Sequence, residues 1–166
     1  MIKIGILGGI GSGKSFIAKN FGYPVFNADS EVGKIYKKNK KIFYKLNKVL
    51  PSYFETFPIK KKDISNAILS KENNLKKIIN IIHPEIRKKM NSFLKKNRNK
   101  KIVVLDIPLL LENKINKKDD ILVFVESKKS EIIKRLRKRK NFNQELFNKF
   151  KKIQLPLDYK KNKSQF

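Results

Sequence analysis

Cysteine is absent from this 166-residue chain, and histidine occurs once. The first absence excludes disulfides, thiolate metal sites and a cysteine nucleophile, and the second excludes multi-histidine metal centres. No apolar run approaches the ~20 residues needed to span a bilayer. The chain opens directly on a strand pattern without a signal-peptide profile, so a cytoplasmic protein that engages no membrane is expected. Acidic residues are scarce, 14 against 41 basic ones, giving a formal net charge of +27. That balance suggests nucleic acid as a partner. However, only five of the basic residues are arginines, and the lysines are spread through the whole chain alongside many Asn and Ile. A nucleic-acid footprint concentrates its charge on one element. Non-specific polyanion binding at low salt is therefore expected, but specific nucleic-acid recognition is not. Where arginine is so rare, each one is informative. The length suits one α/β core with a small inserted subdomain, and nothing in the sequence fixes an oligomeric state.

Gly8-Gly9-Ile10-Gly11-Ser12-Gly13-Lys14-Ser15 contains the spacing G-x-x-x-x-G-K-S and follows the apolar run Ile2–Leu7. A strand that turns through glycines into a helix is the context in which this pattern cradles phosphate. Gly8, Gly11 and Gly13 let the backbone fold so that successive N–H groups point inward, and the following helix adds its positive end. Lys14 can reach β- and γ-phosphates, Ser15 can ligate a magnesium ion held by them, and Phe16 offers only its backbone N–H. A glycine turn with a chance lysine is the alternative, but it requires strand, glycines, Lys and Ser to coincide at this spacing.

Phe16, Ile17 and Phe21 predict one side of a short helix ended by Gly22. Pro24-Val25-Phe26 predicts a second strand leading to Asn27-Ala28-Asp29-Ser30. Asp29 then stands either near the ligand crevice of a parallel sheet or at the N-cap of the next helix. From Glu31 to about Lys101 the pattern is helical, with apolar stripes at Ile42, Phe43, Leu46, Val49 and Leu50, then at Leu75, Ile78, Ile79 and Ile82, and at Ile86, Met90, Phe93 and Leu94. His83 before Pro84 suits the first turn of a helix, with Arg87 one turn on. That histidine is either structural or, with Arg87, close to an anion. Lys101–Pro108 reads as a buried parallel strand ending in Asp106, a turn former or a magnesium-associated carboxylate. A further strand covers Ile121–Val125, and Ser127 can cap the helix after it. Arg135, Arg137 and Arg139 lie on that helix, with Arg135 and Arg139 sharing a face as phosphate donors or as a solvated surface. Asn141–Asn143 suits a lid hinge before a last helix carrying Leu146, Phe147, Phe150 and Ile153.

Taken together, the glycine loop, Asn27-Ala28-Asp29, His83-Pro84-Glu85-Ile86-Arg87, Asp106-Ile107-Pro108-Leu109-Leu110-Leu111-Glu112, the Arg135–Arg139 cluster, and Gln154 with Lys160 resemble the dephospho-coenzyme A kinase family, in its order and over essentially the whole chain. The resemblance implies an α/β P-loop NTPase fold of three layers. Residues 1–30 and 100–166 would form the nucleotide core, with a lid at about 135–147, and residues 31–99 a helical substrate-binding insert. It implies transfer of the γ-phosphate of ATP to the ribose 3′-hydroxyl of dephospho-coenzyme A, with ATP and Mg²⁺ as cofactors. By position, Asp29, Lys14 and Arg135 would be catalytic. Gly8 to Phe16 and Arg139 would bind nucleotide, Asp29, His83, Arg87, Pro108 and Leu109 the acceptor, and Ser15 and Asp106 the metal. Two departures stand out: Asn27 replaces the usual first acid, and Phe16 replaces a hydroxyl residue. Family members usually continue past the segment matching Lys160–Phe166, so a missing edge strand is expected. A nucleoside or nucleotide kinase, or a polyanion-binding protein with a relic loop, would share several of these features.

Overall fold

A computed structural model describes residues 1–139 and 142–166. The chain divides into two compact units, Met1–Asn27 with Phe93–Phe166, and Ala28–Ser92.

The first unit holds a four-stranded, all-parallel sheet in the order β2-β3-β1-β4, made of β1 (Ile2–Gly8), β2 (Val25–Asn27), β3 (Ile102–Asp106) and β4 (Ile121–Val125). In β1 the residues from Ile4 onward are all buried, and in β3 those from Val103 onward. Such continuous burial is what strands covered on both faces require. On one face Ile4, Ile6 and Val104 pack with Ala18 of α1 (Lys14–Asn20), flanked by Phe21 and Val25. On the other, Gly5 makes room for Leu110 and Leu122: an added Cβ would lie 2.7 and 3.0 Å from their δ-carbons. From β1 the chain moves to β2 on one side and later adds β4 on the other. The carboxyl end of β1 is therefore where the chain's direction across the sheet reverses, the usual ligand position in open parallel sheets. Beyond β4, the Gln165 N–H donates to the Leu122 carbonyl at 2.9 Å and the Phe124 N–H to the Phe166 carbonyl at 2.7 Å, so the last residues line the outer rim of β4.

The α1 helix ends where expected, with Gly22 at φ 74° just past its C-cap Phe21. Phe16 does not join the apolar side of this helix; it is 70 % exposed, and Ala18 takes the buried position. Two short helices follow the arginine cluster, α7 (Gln144–Ile153) and α8 (Leu157–Asn162). The second was not anticipated, although Pro156 before Leu157-Asp158 is the usual signal for a helix start. Asn143 caps α7 by accepting from the Leu146 N–H at 2.9 Å. The rest of the expected hinge at Asn141 lies outside the described residues.

The second unit contains α2 (Ala28–Lys38), α3 (Lys40–Val49), α4 (Lys61–Ser70) and most of α5 (Glu72–Lys96). No strand occurs there among the described residues. Its core is built from Ile35, Ile42, Phe43, Leu46, Phe54, Ile68, Ile78, Ile82 and Ile86. Asn39 caps α3, accepting from the Ile42 N–H at 3.1 Å. The expected helix start at His83-Pro84 is not there, because α5 runs unbroken through Pro84. Ile78, Ile82 and Ile86 form a buried stripe at four-residue spacing, while Pro84 faces outward. Packing on both sides of the proline holds the helix together although its ring removes one i→i−4 bond.

Candidate active site

The loop between β1 and α1 has the backbone its sequence calls for. Gly8, Gly11 and Gly13 take φ values of 140°, 84° and 99°. At Gly8 the requirement is also one of space, since a Cβ would stand 2.5 Å from the Val125 carbonyl oxygen of the neighbouring strand. Gly8→Ala is therefore expected to destabilise the loop and both strands together, by roughly 2–4 kcal/mol. Chemical denaturation of the variant measures this directly, and a loss below about 0.5 kcal/mol would show that the loop relaxes freely.

Lys14 turns its ammonium back over the loop, donating to the carbonyls of Gly9 at 2.7 Å and Gly8 at 3.1 Å. Ser15 is the second residue of α1 and is exposed. Gly9 and Ser12 are buried and Ile10 is half-buried; the Ser12 N–H donates to the Gly9 carbonyl at 3.3 Å, and the Phe16 N–H donates to the Gly13 carbonyl at 3.0 Å. On its outer side the loop is held by α6 (Lys129–Arg137) and the segment before it. Arg135 donates through Nη1 to the carbonyls of Ser12 at 3.1 Å and Gly11 at 3.4 Å.

Two expectations for this segment are corrected. Ser127 does not cap the helix: the N-cap is Lys128, without a side-chain cap bond, and the Ser127 hydroxyl donates instead to the Ser12 carbonyl at 2.7 Å. Arg139 does not share a helical face with Arg135, because α6 ends at Arg137; Arg139 lies past its C-cap and is exposed. Arg135, Arg137 and Arg139 are all exposed.

At the carboxyl end of β3, Asp106 is 3 % exposed and in register with Asn27 of β2. The Asn27 amide donates to Asp106 Oδ2 at 2.5 Å. A carboxylate at position 27 would have no proton to give and would repel Asp106, whereas the Asn27 amide supplies a donor. Pro108 and Leu109 follow in a turn where Leu109 takes φ 57°, a left-handed conformation uncommon for a leucine. Its carbonyl accepts from both the backbone and side-chain nitrogens of Asn113, at 3.0 and 2.9 Å. Glu112 closes the motif by accepting the Lys160 ammonium at 2.6 Å and the Leu155 N–H at 3.0 Å. Both side chains of that ion pair are nearly buried. Lys160 belongs to α8, and Leu157 of the same helix meets the loop at Gly9, where a Cβ would lie 3.6 Å from it.

In the second unit, Asp29 is the second residue of α2 and is exposed, so it sits in the first turn rather than at the N-cap. His83 and Arg87 are one turn apart in the middle of α5. Burial, and secondarily the positive charge of Arg87, hold the His83 imidazole below its ordinary pKa and keep it neutral at physiological pH.

Ser15 and Asp106 offer a hydroxyl and a carboxylate, hard oxygen ligands of the kind magnesium takes when nucleotide phosphates and water complete its shell. Among the described residues no group of three or more His, Cys, Asp or Glu could form an all-protein cage. No helix among them is long and apolar enough to cross a membrane.

Comparison with known proteins matches residues 2–166 to the dephospho-CoA kinase family model. The chain is 34% identical over 168 residues to the dephospho-CoA kinase of Wolbachia sp. subsp. Brugia malayi, an alignment covering 98% of this chain and 86% of the relative. It is 37% identical over 169 residues to that of Rickettsia bellii, covering 100% and 86%. Its fold resembles the crystal structure of TT1252 from Thermus thermophilus, with a TM-score of 0.79 and 26% identity over 98% of this chain and 85% of that one. A glycine loop at the switch point of a parallel sheet, with a family match along nearly the whole length, leads to one assignment: the chain belongs to the dephospho-CoA kinase family, transferases that use ATP to phosphorylate the ribose 3′-hydroxyl of dephospho-CoA in the last step of coenzyme A biosynthesis.

Proposed function

We propose that the two substrates are handled by separate sets of residues in this chain. Residues Gly8 to Phe16 bind the ATP phosphates, with Lys14 neutralising charge on the transferred group. Arg139 supplies further guanidinium charge, as a loose phosphoryl-transfer transition state requires, and Arg135, whose Nη1 holds the outer carbonyls of the loop, adds its charge from that side. Asp29 accepts the proton of the 3′-hydroxyl as that oxygen attacks the γ-phosphorus, and ADP leaves. His83, Arg87, Pro108 and Leu109 bind dephospho-CoA, with Arg87 suited to an acceptor phosphate and the neutral His83 to hydrogen bonding. Mg²⁺ would be held by Ser15 and Asp106, and when bound it offsets charge on the nucleotide phosphates. A lid over about 135–147 would exclude water, which otherwise competes as the acceptor. The enzyme works in the cytoplasm on these small molecules, without a specific nucleic-acid partner.

The observation that carries this reading is the glycine loop, whose positive-φ glycines and Lys14 occupy the carboxyl end of the central strand. ADP release, measured with dephospho-CoA and with a panel of nucleosides and nucleotides, tests the acceptor. Turnover is expected with dephospho-CoA alone and only with a divalent cation present. Undiminished turnover after full chelation would remove the metal roles of Ser15 and Asp106.

A further inference from the structure

We infer that Ser127 is a positioning residue for the phosphate loop, acting through the outward-facing carbonyls of the loop rather than on any substrate. The loop binds phosphate through N–H groups, and in a trans peptide the N–H and C=O of one plane point in opposite directions. Whatever fixes the Ser12 carbonyl on the outside therefore fixes the Gly13 N–H on the inside.

Ser127 does this at 2.7 Å, the shortest of the donor contacts made to that carbonyl. Its own oxygen accepts from Arg135 Nη1 at 3.2 Å. A hydroxyl has one proton to give, and a guanidinium can only donate. The direction of both bonds is therefore determined: Arg135 gives to Ser127, and Ser127 gives to Ser12. Donation into a carbonyl also polarises its amide and strengthens the N–H at the other end.

The position of Ser127 is set by the sheet. It comes two residues after Val125, which is in register with Gly8. The donor is thus anchored to the strand beside the loop and does not depend on the exposed stem of Arg135 for its place. The space supports this reading as well, because a Cβ on Gly13 would stand 3.2 Å from Arg135 Nη1, so the clamp fills the outer side of the turn.

The test compares Ser127→Ala with Ser127→Thr in the full chain. Ser127→Ala is expected to weaken binding of a fluorescent ADP analogue about tenfold, the worth of one net hydrogen bond that sets donor geometry. KM for ATP should rise in parallel, with KM for dephospho-CoA staying within about twofold. Ser127→Thr keeps the hydroxyl and should restore nucleotide affinity. Direct nucleotide binding separates this inference from the proposed roles on the acceptor side, since it needs no acceptor. Unchanged nucleotide affinity in Ser127→Ala would overturn the inference. So would a Thr variant as weak as Ala, or equal rises in both KM values, each of which would mark Ser127 as ordinary packing.

Discussion

Asp29→Asn is expected to lower turnover between about 10²- and 10⁴-fold, the range over which a positioned general base contributes. The amide keeps the size and hydrogen-bonding reach of the carboxylate but cannot take the 3′-hydroxyl proton. Nucleotide affinity should be nearly unchanged, because none of the glycine loop is altered. Loss of kcat without loss of ADP-analogue binding is the pattern to look for in steady-state kinetics. The competing role is electrostatic: Asp29 and Glu31 are the acids in the first turn of α2. Removing one of them costs a helix about 0.3–1 kcal/mol and no turnover. An Asn variant that keeps most of its activity would assign Asp29 to that second role and leave the base unidentified.

Lys160→Met is expected to destabilise the protein by about 3–5 kcal/mol, because breaking a buried ion pair from one side leaves the other charge uncompensated. The Lys160 and Glu112 side chains are only 3% and 10% exposed, and Glu112 Oε2 is buried with no hydrogen-bond partner among the described residues, so the carboxylate left behind has little access to water. The Leu155 N–H on Glu112 Oε1 would be its remaining support. Adding Glu112→Gln to Lys160→Met should recover much of the loss, since removing both charges is often nearly neutral. Urea denaturation of the single and double variants measures both values. A single variant within about 1 kcal/mol of the parent would mean that water reaches Glu112. Two motifs far apart in the sequence are tied by this pair, which fixes α8 to the turn after β3.

What the sequence made legible was mostly local. Three glycines with one required conformation, a strand on one side and a helix on the other gave the loop its place without tertiary information. The apolar run within Lys101–Pro108 identified a buried parallel strand for the same reason, found at Ile102–Asp106; the run Ile121–Val125 identified a strand as well, but only Leu122 in it is buried. Ambiguity grew where a residue's partner lies far along the chain. Ser127 has the composition of a helix cap, and only the Ser12 carbonyl, 115 residues earlier, reveals a different partner. Pro84 reads as a helix start because the stripe of isoleucines on both sides outweighs it only once packed. Arg135 and Arg139 have helical spacing, but the helix stops between them. Phe16 looked like core by type, yet the neighbouring Ala18 is the side chain that fits under the sheet. Asn27 was visible as a departure from the family pattern, but its value as a donor required the register with Asp106.

The sheet order has a consequence for how the enzyme is made. Ile2 pairs with Ile102 and Gly8 with Val125, so β1 leaves the ribosome with neither neighbour and waits for strands that lie far along the sequence. Until then β1 is an apolar ribbon with two open edges, in a parallel arrangement whose long loop closures slow assembly. The helices of Ala28–Ser92 rely on contacts closer in sequence and can organise earlier. The phosphate loop, whose glycine backbone is set against Val125, therefore acquires its shape only once β4 has been made, and nucleotide can assist folding only after that point.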